Sequence, residues 1–317
     1  MATRDGIFVS LVELGEENKD VVVLDADLSD STKTSGFRKK FPSRFFDCGI
    51  AECNIIGVAA GLSCVGKIPF AASFAVFVAG RAFEQIRNSV CYTNLNVKII
   101  GSHAGFSSSE DGATHQAIED IAILRAIPNI TILSPCDFFE TVAVVKKAAE
   151  YKGPVYIRTS KFAVESINSP EYVNSFRIGK GVILKKGNMV CLFATGVEVS
   201  FSLKAAEMLE EEGISTMVVN INTIKPLDKE LVLDIAKNVE FLFTVEEHSV
   251  VGGLGEAISS FLSEVKPKIV NKIGINDRFG ESGSAIELLK KHGLNEFGIY
   301  NRVKEVVFNK SYNVNFL

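Results

Sequence analysis

Glu52 is the one charged side chain between Asp47 and Lys67, and it stands where an Asp-Cys-Gly turn runs into an apolar stretch. Ile55, Ile56, Ala59 and Leu62 recur at helical spacing, which predicts a helix with Glu52 in its first turn. A carboxylate there can complement the helix dipole. It can equally be carried into an apolar interface, where it must be paired or hold a proton. Gly57 and Gly61 lie four apart on the same helix. Each costs about 1 kcal/mol relative to Ala, so two of them point to a close-packed neighbour.

Three further stretches carry groups of interest. Ser73-Phe-Ala-Val-Phe77 places two rings three residues apart among small residues, which by itself reads as core. His103 to Gln116 holds two of the chain's four His, with Glu110 and Asp111 between them. A polar Gly- and Ser-rich loop of that length normally has a function, the alternative being a solvated loop. Tyr156-Ile-Arg158-Thr-Ser160 ends an apolar strand in an Arg. Strand-end Arg residues often make structural salt bridges; this one is expected to point at the ligand edge.

Alternating elements must position these groups. Helices are expected at 4–16, from the turn before Glu52 to 63, at 80–92, 118–126 and 138–150, and strands at 21–24, 97–100, 130–133 and 155–159. Residues 28–43 and 106–116 read as loops. After a Ser-, Asn- and Pro-containing linker over 165–181 the alternation restarts, with strands at 190–194, 216–221, 241–245 and 269–273. This pattern predicts two α/β domains with mostly parallel sheets, residues 1–170 and 171–317. Ligands bind such sheets at the C-terminal ends of the strands. Gly252-Gly-Leu-Gly255 lacks the third glycine of a dinucleotide fingerprint and reads as a glycine-opened helix turn.

The 317 residues carry 34 Lys and Arg against 38 Asp and Glu, a net charge of −4 that argues against a nucleic-acid surface. The apolar stretch 68–80 is too short to span a bilayer and contains Pro69. The N-terminus has no signal-peptide apolar region. Six scattered Cys without a CxxC pair read as thiols of a reducing cytoplasm, not as a disulfide framework or a zinc site.

Taken together, the motifs resemble transketolase, and more closely the separate C-terminal subunit of split transketolases, over essentially the whole chain. Asp47-Cys-Gly-Ile-Ala-Glu52 is similar to the motif that supplies the thiamine diphosphate glutamate. The stretch from Glu110 to Glu119 is similar to the transketolase loop EDGPTHQPIE. Ala126-Ile-Pro-Asn129, Pro135-Cys-Asp137 and Phe279-Gly-Glu-Ser-Gly283 match neighbouring signatures.

The resemblance implies that Glu52 bonds N1′ of the aminopyrimidine and that Phe74 and Phe77 form the cup around that ring. The family's third cup aromatic falls near Gly80, with Phe83 the nearest substitute. Asp27 matches an Asp near the thiazolium side. Arg4, Ser31, His103 and Arg158 match positions that hold the sugar phosphate, where Arg makes bidentate charge-assisted bonds. Asp111 and His115 match those that bind donor hydroxyls and the C1 or C2 oxygen, which makes His115 catalytic with Glu52. The family's GDG…N segment, which binds the diphosphate and Mg²⁺, is absent from this sequence, so no metal ligand is expected here. An N-terminal subunit carrying GDG…N is the implied partner, in an α₂β₂ assembly.

The implied activity is transfer of a two-carbon ketol unit between sugar phosphates. Two alternatives share the fold: the E1 β subunit of a 2-oxoacid dehydrogenase and a deoxyxylulose-phosphate synthase-like enzyme. Thr114-His-Gln116 and the phosphate set favour transketolase. A non-catalytic scaffold subunit would have no need of Glu52, Asp111 and His115.

Overall fold

Runs such as Val21-Val-Val-Leu24 and Lys98-Ile-Ile100 are buried along their whole length, as strands covered on both faces must be. A computed structural model describes residues 1–314; residues 315–317, at the end of the expected second domain, lie outside the described residues. The strands are β1 Val21–Asp25, β2 Phe45–Asp47, β3 Ile68–Phe74, β4 Lys98–Ser102, β5 Thr131–Leu133 and β6 Val155–Arg158. They continue with β7 Val182–Lys185, β8 Val190–Ala194, β9 Thr216–Asn220, β10 Thr223–Lys225, β11 Phe241–Ser249 and β12 Val270–Ile275.

Two sheets form. The first has the order β10-β5-β6-β4-β3-β1-β2 and the second β12-β11-β8-β9-β7. Every neighbouring pair is parallel except β10 with β5 and β7 with β9. The expectation of two α/β units with mostly parallel sheets therefore holds. Strand alternation splits the first core into two layers. Val22, Leu24, Ala71 and Ile99 face one cluster, and Val21, Val23, Phe70, Ala72 and Ile100 the other. No described helix is long and apolar enough to cross a membrane.

Several elements differ from the sequence reading. Residues 28–43 are not a plain loop but carry short helices Ser29–Thr32 and Ser35–Lys40. The buried Asp25 carboxylate gathers them, accepting from Leu28 N and from the Thr32 and Thr34 hydroxyls at 2.6, 2.7 and 2.9 Å. The expected helix over 80–92 is split into Ala75–Arg81, a turn at Phe83–Gln85 and a π-helical segment Ile86–Tyr92. β10 comes from the second half of the chain yet adds to the first sheet, its three residues being too short for a periodic signal.

One edge of the first sheet collects the groups of interest. Asp25 pairs with Asp47 and Ala72, Phe74 with Ser102, and Gly101 with Arg158, so β1, β2, β3, β4 and β6 end level with one another. The N-terminus is fastened there as well: Arg4 N donates to Ser160 O at 3.2 Å and Ser160 N to Thr3 Oγ1 at 2.7 Å.

Candidate active site

Glu52 opens the helix Glu52–Cys64, as its spacing predicted, and only 3% of it is exposed. A short β2 and the Gly49 turn, where φ is +71°, deliver the chain to this point. Burial of a carboxylate demands partners. Ser73 Oγ donates to Oε1 at 3.2 Å and Arg81 Nη1 to Oε2 at 3.1 Å. Asp47 at the end of β2 fixes the adjoining turn, its Oδ1 accepting from Asp27 N and Gly49 N, each at 3.1 Å. Asp27 itself is exposed, in left-handed backbone at φ 62°.

Phe74 and Phe77 stack with centroids 6.0 Å apart at 17°. Phe74 packs on the His103 ring at 4.0 Å, and His115 stands edge-on to Phe77 at 5.1 Å. Phe83 is half-buried and packs against the core cluster that holds Leu24, Ile55, Ala71 and Ile99. The group that covers Phe77 is Arg81, with Cζ 4.2 Å from the ring centroid.

His103 follows β4 at φ 58°, a strained position for a side chain this large, and is buried. Burial, then the charges of Arg4, Lys161 and Lys33, push its pKa down to about 3. The ring is therefore neutral at physiological pH. Arg4 Nη1 is 2.9 Å from Nε2 and donates to Ser31 O at 3.0 Å, so Nε2 accepts and Nδ1, 2.9 Å from Ser102 Oγ, carries the proton. Burial lowers the Arg4 pKa against the pull of Asp5, and its Nε is buried without a partner. Arg4, Ser31 and His103 are thus brought together as expected.

Arg158 corrects the sequence reading. Its guanidinium does not join that group. Nε donates to both Asp120 oxygens at 3.2 and 2.9 Å, and Nη2 to Ala117 O and Glu247 O at 3.1 and 3.0 Å. Burial opposes its charge, but Asp120 and Glu247 together hold the pKa above its ordinary value. Arg158 fastens the first sheet to β11 of the second. The cation that sequence reasoning missed is Lys161, exposed just beyond β6 and close enough to act on His103. Its signal was available: it lies past the last strand residue, outside the alternation that turns Arg158 inward.

Asp111 and His115 lie on the 105–116 segment, expected as a loop and found as a 3₁₀ run Gly105–Asp111 followed by a turn. Asp111 is exposed and His115 half-buried, with Thr114 Oγ1 2.9 Å from its Nδ1. Gln116 anchors the segment: its Nε2 donates to Ser109 O at 3.2 Å and to Glu281 O of the second domain at 2.9 Å. Glu247 helps by accepting from Phe106 N at 2.7 Å.

The family profile described as transketolase, pyrimidine binding domain, matches residues 1–166, and that described as transketolase, C-terminal domain, matches 179–299. The chain belongs to the transketolase family. A protein of Methanocaldococcus jannaschii named as a transketolase C-terminal section is 50% identical over 303 residues, 95% of each chain. A 6-deoxy-6-sulfo-D-fructose transketolase subunit of a Clostridium strain is 38% identical over 309 residues, 98% of this chain and 95% of that one. The solved structure of a split-gene transketolase, described as an inactive β4 tetramer, superposes with a TM-score of 0.89 at 52% identity, covering 96% of this chain and 98% of that one.

For a transketolase-family chain the implied cofactor is thiamine diphosphate. The residues fit its pyrimidine end: a buried carboxylate at a helix start, reached from the solvent side, beside two stacked Phe. For the diphosphate end, the sequence has no Gly-Asp-Gly. Among the described residues no cluster of three or more His, Cys, Asp or Glu could hold a metal ion.

Proposed function

We propose that this chain is the C-terminal half of a two-chain transketolase that moves a two-carbon ketol unit from a ketose phosphate to an aldose phosphate. The observation that carries the reading is Glu52, buried and joined through Arg81 to the face of a stacked Phe pair, in a sequence without Gly-Asp-Gly. Thiamine diphosphate supplies a carbon nucleophile and an electron sink beside the ketose carbonyl. With thiamine diphosphate bound, Glu52 would hold the proton shared with the pyrimidine ring and would act as general acid and base. Phe74 and Phe77 bury that ring and exclude water. Asp27 would border the thiazolium side of the bound cofactor.

Arg4, Lys161, the Ser31 turn and His103 receive the anionic head of the sugar, with His103 neutral among the cations. Asp111 and His115 hold donor hydroxyls, and His115 Nε2 exchanges a proton with the carbonyl oxygen. A sulfonate head has the same charge-assisted chemistry, so sulfosugar donors belong in the assay. The partner contributes GDG…N and holds Mg²⁺, and two copies of each chain pair in C₂ symmetry as α₂β₂. All six cysteines are free thiols, which suits a reducing cytoplasm.

The test is to mix the chain with an N-terminal GDG…N subunit, thiamine diphosphate, Mg²⁺, a ketose phosphate and an aldose phosphate, and to follow the lengthened ketose. Glu52→Gln is expected to stay folded and to lower kcat by about 10²–10⁴-fold. Near wild-type rates for Glu52→Gln at saturating cofactor would remove Glu52 from the mechanism.

A further inference from the structure

The face that the pyrimidine ring needs is not bare. Arg81 ends the helix Ala75–Arg81, and its side chain turns back over Phe77, with Cζ 4.2 Å from the ring centroid. The same guanidinium donates from Nη1 to Glu52 Oε2 at 3.1 Å. Its backbone is held in place, since Cys53 Sγ, one residue beyond Glu52, donates to Arg81 O at 3.2 Å. The Arg81 side chain is 53% exposed and that of Glu52 is 3% exposed. An inner carboxylate is thus capped by a group that arrives from solvent and can return to it.

A guanidinium is flat, stacks on aromatic faces and presents N–H donors at its edge. An aminopyrimidine that shares a proton with a carboxylate and lies on a Phe ring asks for the same two surfaces: one oxygen of Glu52 and the face of Phe77. Two flat groups cannot occupy them together. We propose that Arg81 is an internal stand-in for the aminopyrimidine, capping Glu52 and Phe77 in the empty site and leaving them when the cofactor ring enters. The inference rests on the function proposed above.

In the empty site the cap gives Glu52 a partner that burial demands. On loading, the ring replaces contacts that already exist, so only the uncapped fraction of molecules is competent to bind and the apparent dissociation constant rises accordingly. Arg81 is a gate on loading, set within the site itself.

The test uses wild type, Arg81→Met and Arg81→Lys in two measurements. In the first, each chain is mixed with the N-terminal subunit and titrated calorimetrically with thiamine diphosphate at fixed Mg²⁺. Losing a half-exposed ion pair and a cation–π contact should tighten binding by roughly 3–30-fold in Arg81→Met, and by less in Arg81→Lys, which keeps the charge but not the flat face. Unchanged or weaker binding in Arg81→Met would overturn the proposal. In the second, the isolated chains are treated with a carbodiimide and modification of Glu52 is followed by mass spectrometry. Faster modification in Arg81→Met is expected, and equal rates in the two chains would overturn the cap. If the wild-type mixture binds no cofactor, the function reading fails, and the labelling still decides whether Arg81 shields Glu52.

Discussion

Arg158 ends β6, and Arg4 is hydrogen-bonded to the strand's continuation at Ser160, yet the two guanidiniums serve opposite regions. At the domain junction, Arg158 is buried with Asp120 and two carbonyls as partners, and its charge is stabilised from within the chain. At the open edge, Arg4 keeps an unpartnered Nε, sits beside a neutral His103 and loses stability of its charge to burial. A cation satisfied by its own fold is a fastener. Arg4, gathered with Lys161 and Lys33 around one uncharged ring and with Asp5 as the nearby carboxylate, suits the anionic sugar head proposed above.

The largest expected effect tests the junction. Arg158→Ala leaves the Asp120 carboxylate buried and uncompensated, apart from its bond from the Tyr156 hydroxyl. Breaking such a pair costs about 3–5 kcal/mol, read as a lowered denaturant midpoint. A small stability loss together with a raised KM for phosphorylated donors alone would break the comparison and return Arg158 to the phosphate set.

The open edge should respond in the opposite way. Arg4→Ala and Lys161→Ala are each expected to weaken transition-state binding of phosphorylated substrates by about 1.5–3 kcal/mol, since each removes a hydrogen bond to a charged group. The effect should appear mainly in KM and fade with unphosphorylated acceptors. Equal losses on both kinds of acceptor would show that these side chains do not meet phosphate.

A third, smaller effect sharpens the electrostatic side. His103 is held neutral down to about pH 3, whereas an unfolded His takes up a proton near pH 6.5. The unfolded chain therefore binds more protons as pH falls below 6.5. The contribution of His103 to stability is fully present above that pH and is lost on acidification toward 3. Between pH 7 and 5 the stability gap between wild type and His103→Gln should narrow by about 1–2 kcal/mol. A gap independent of pH would show that His103 takes up its proton in the folded chain as it does in the unfolded one.

The same contrast explains what the sequence could and could not reveal. The helix at Glu52, the strand ends and the order of the motifs were legible because apolar periodicity and glycine turns are local signals. The direction of Arg158 was not, because it depends on register. Tyr156 and Arg158 are two apart on one strand and share a face, and both reach the same Asp120 from a distant helix. Arg81 was missed for a related reason: a long side chain at a helix end can fold back onto a ring four residues earlier, which spacing alone does not foretell. The short helices within 28–43 depend on the buried carboxylate of Asp25, a contact with no periodic pattern.

The central claim is that this chain holds one end of a cofactor site and needs a second chain for the other. Isothermal titration of thiamine diphosphate with Mg²⁺ into the isolated chain, and into an equimolar mixture with the GDG…N subunit, tests it most directly. The account predicts no saturable binding by the chain alone and one site per chain in the mixture, with stabilisation of the mixture by mass action. Tight binding by the isolated chain would contradict it.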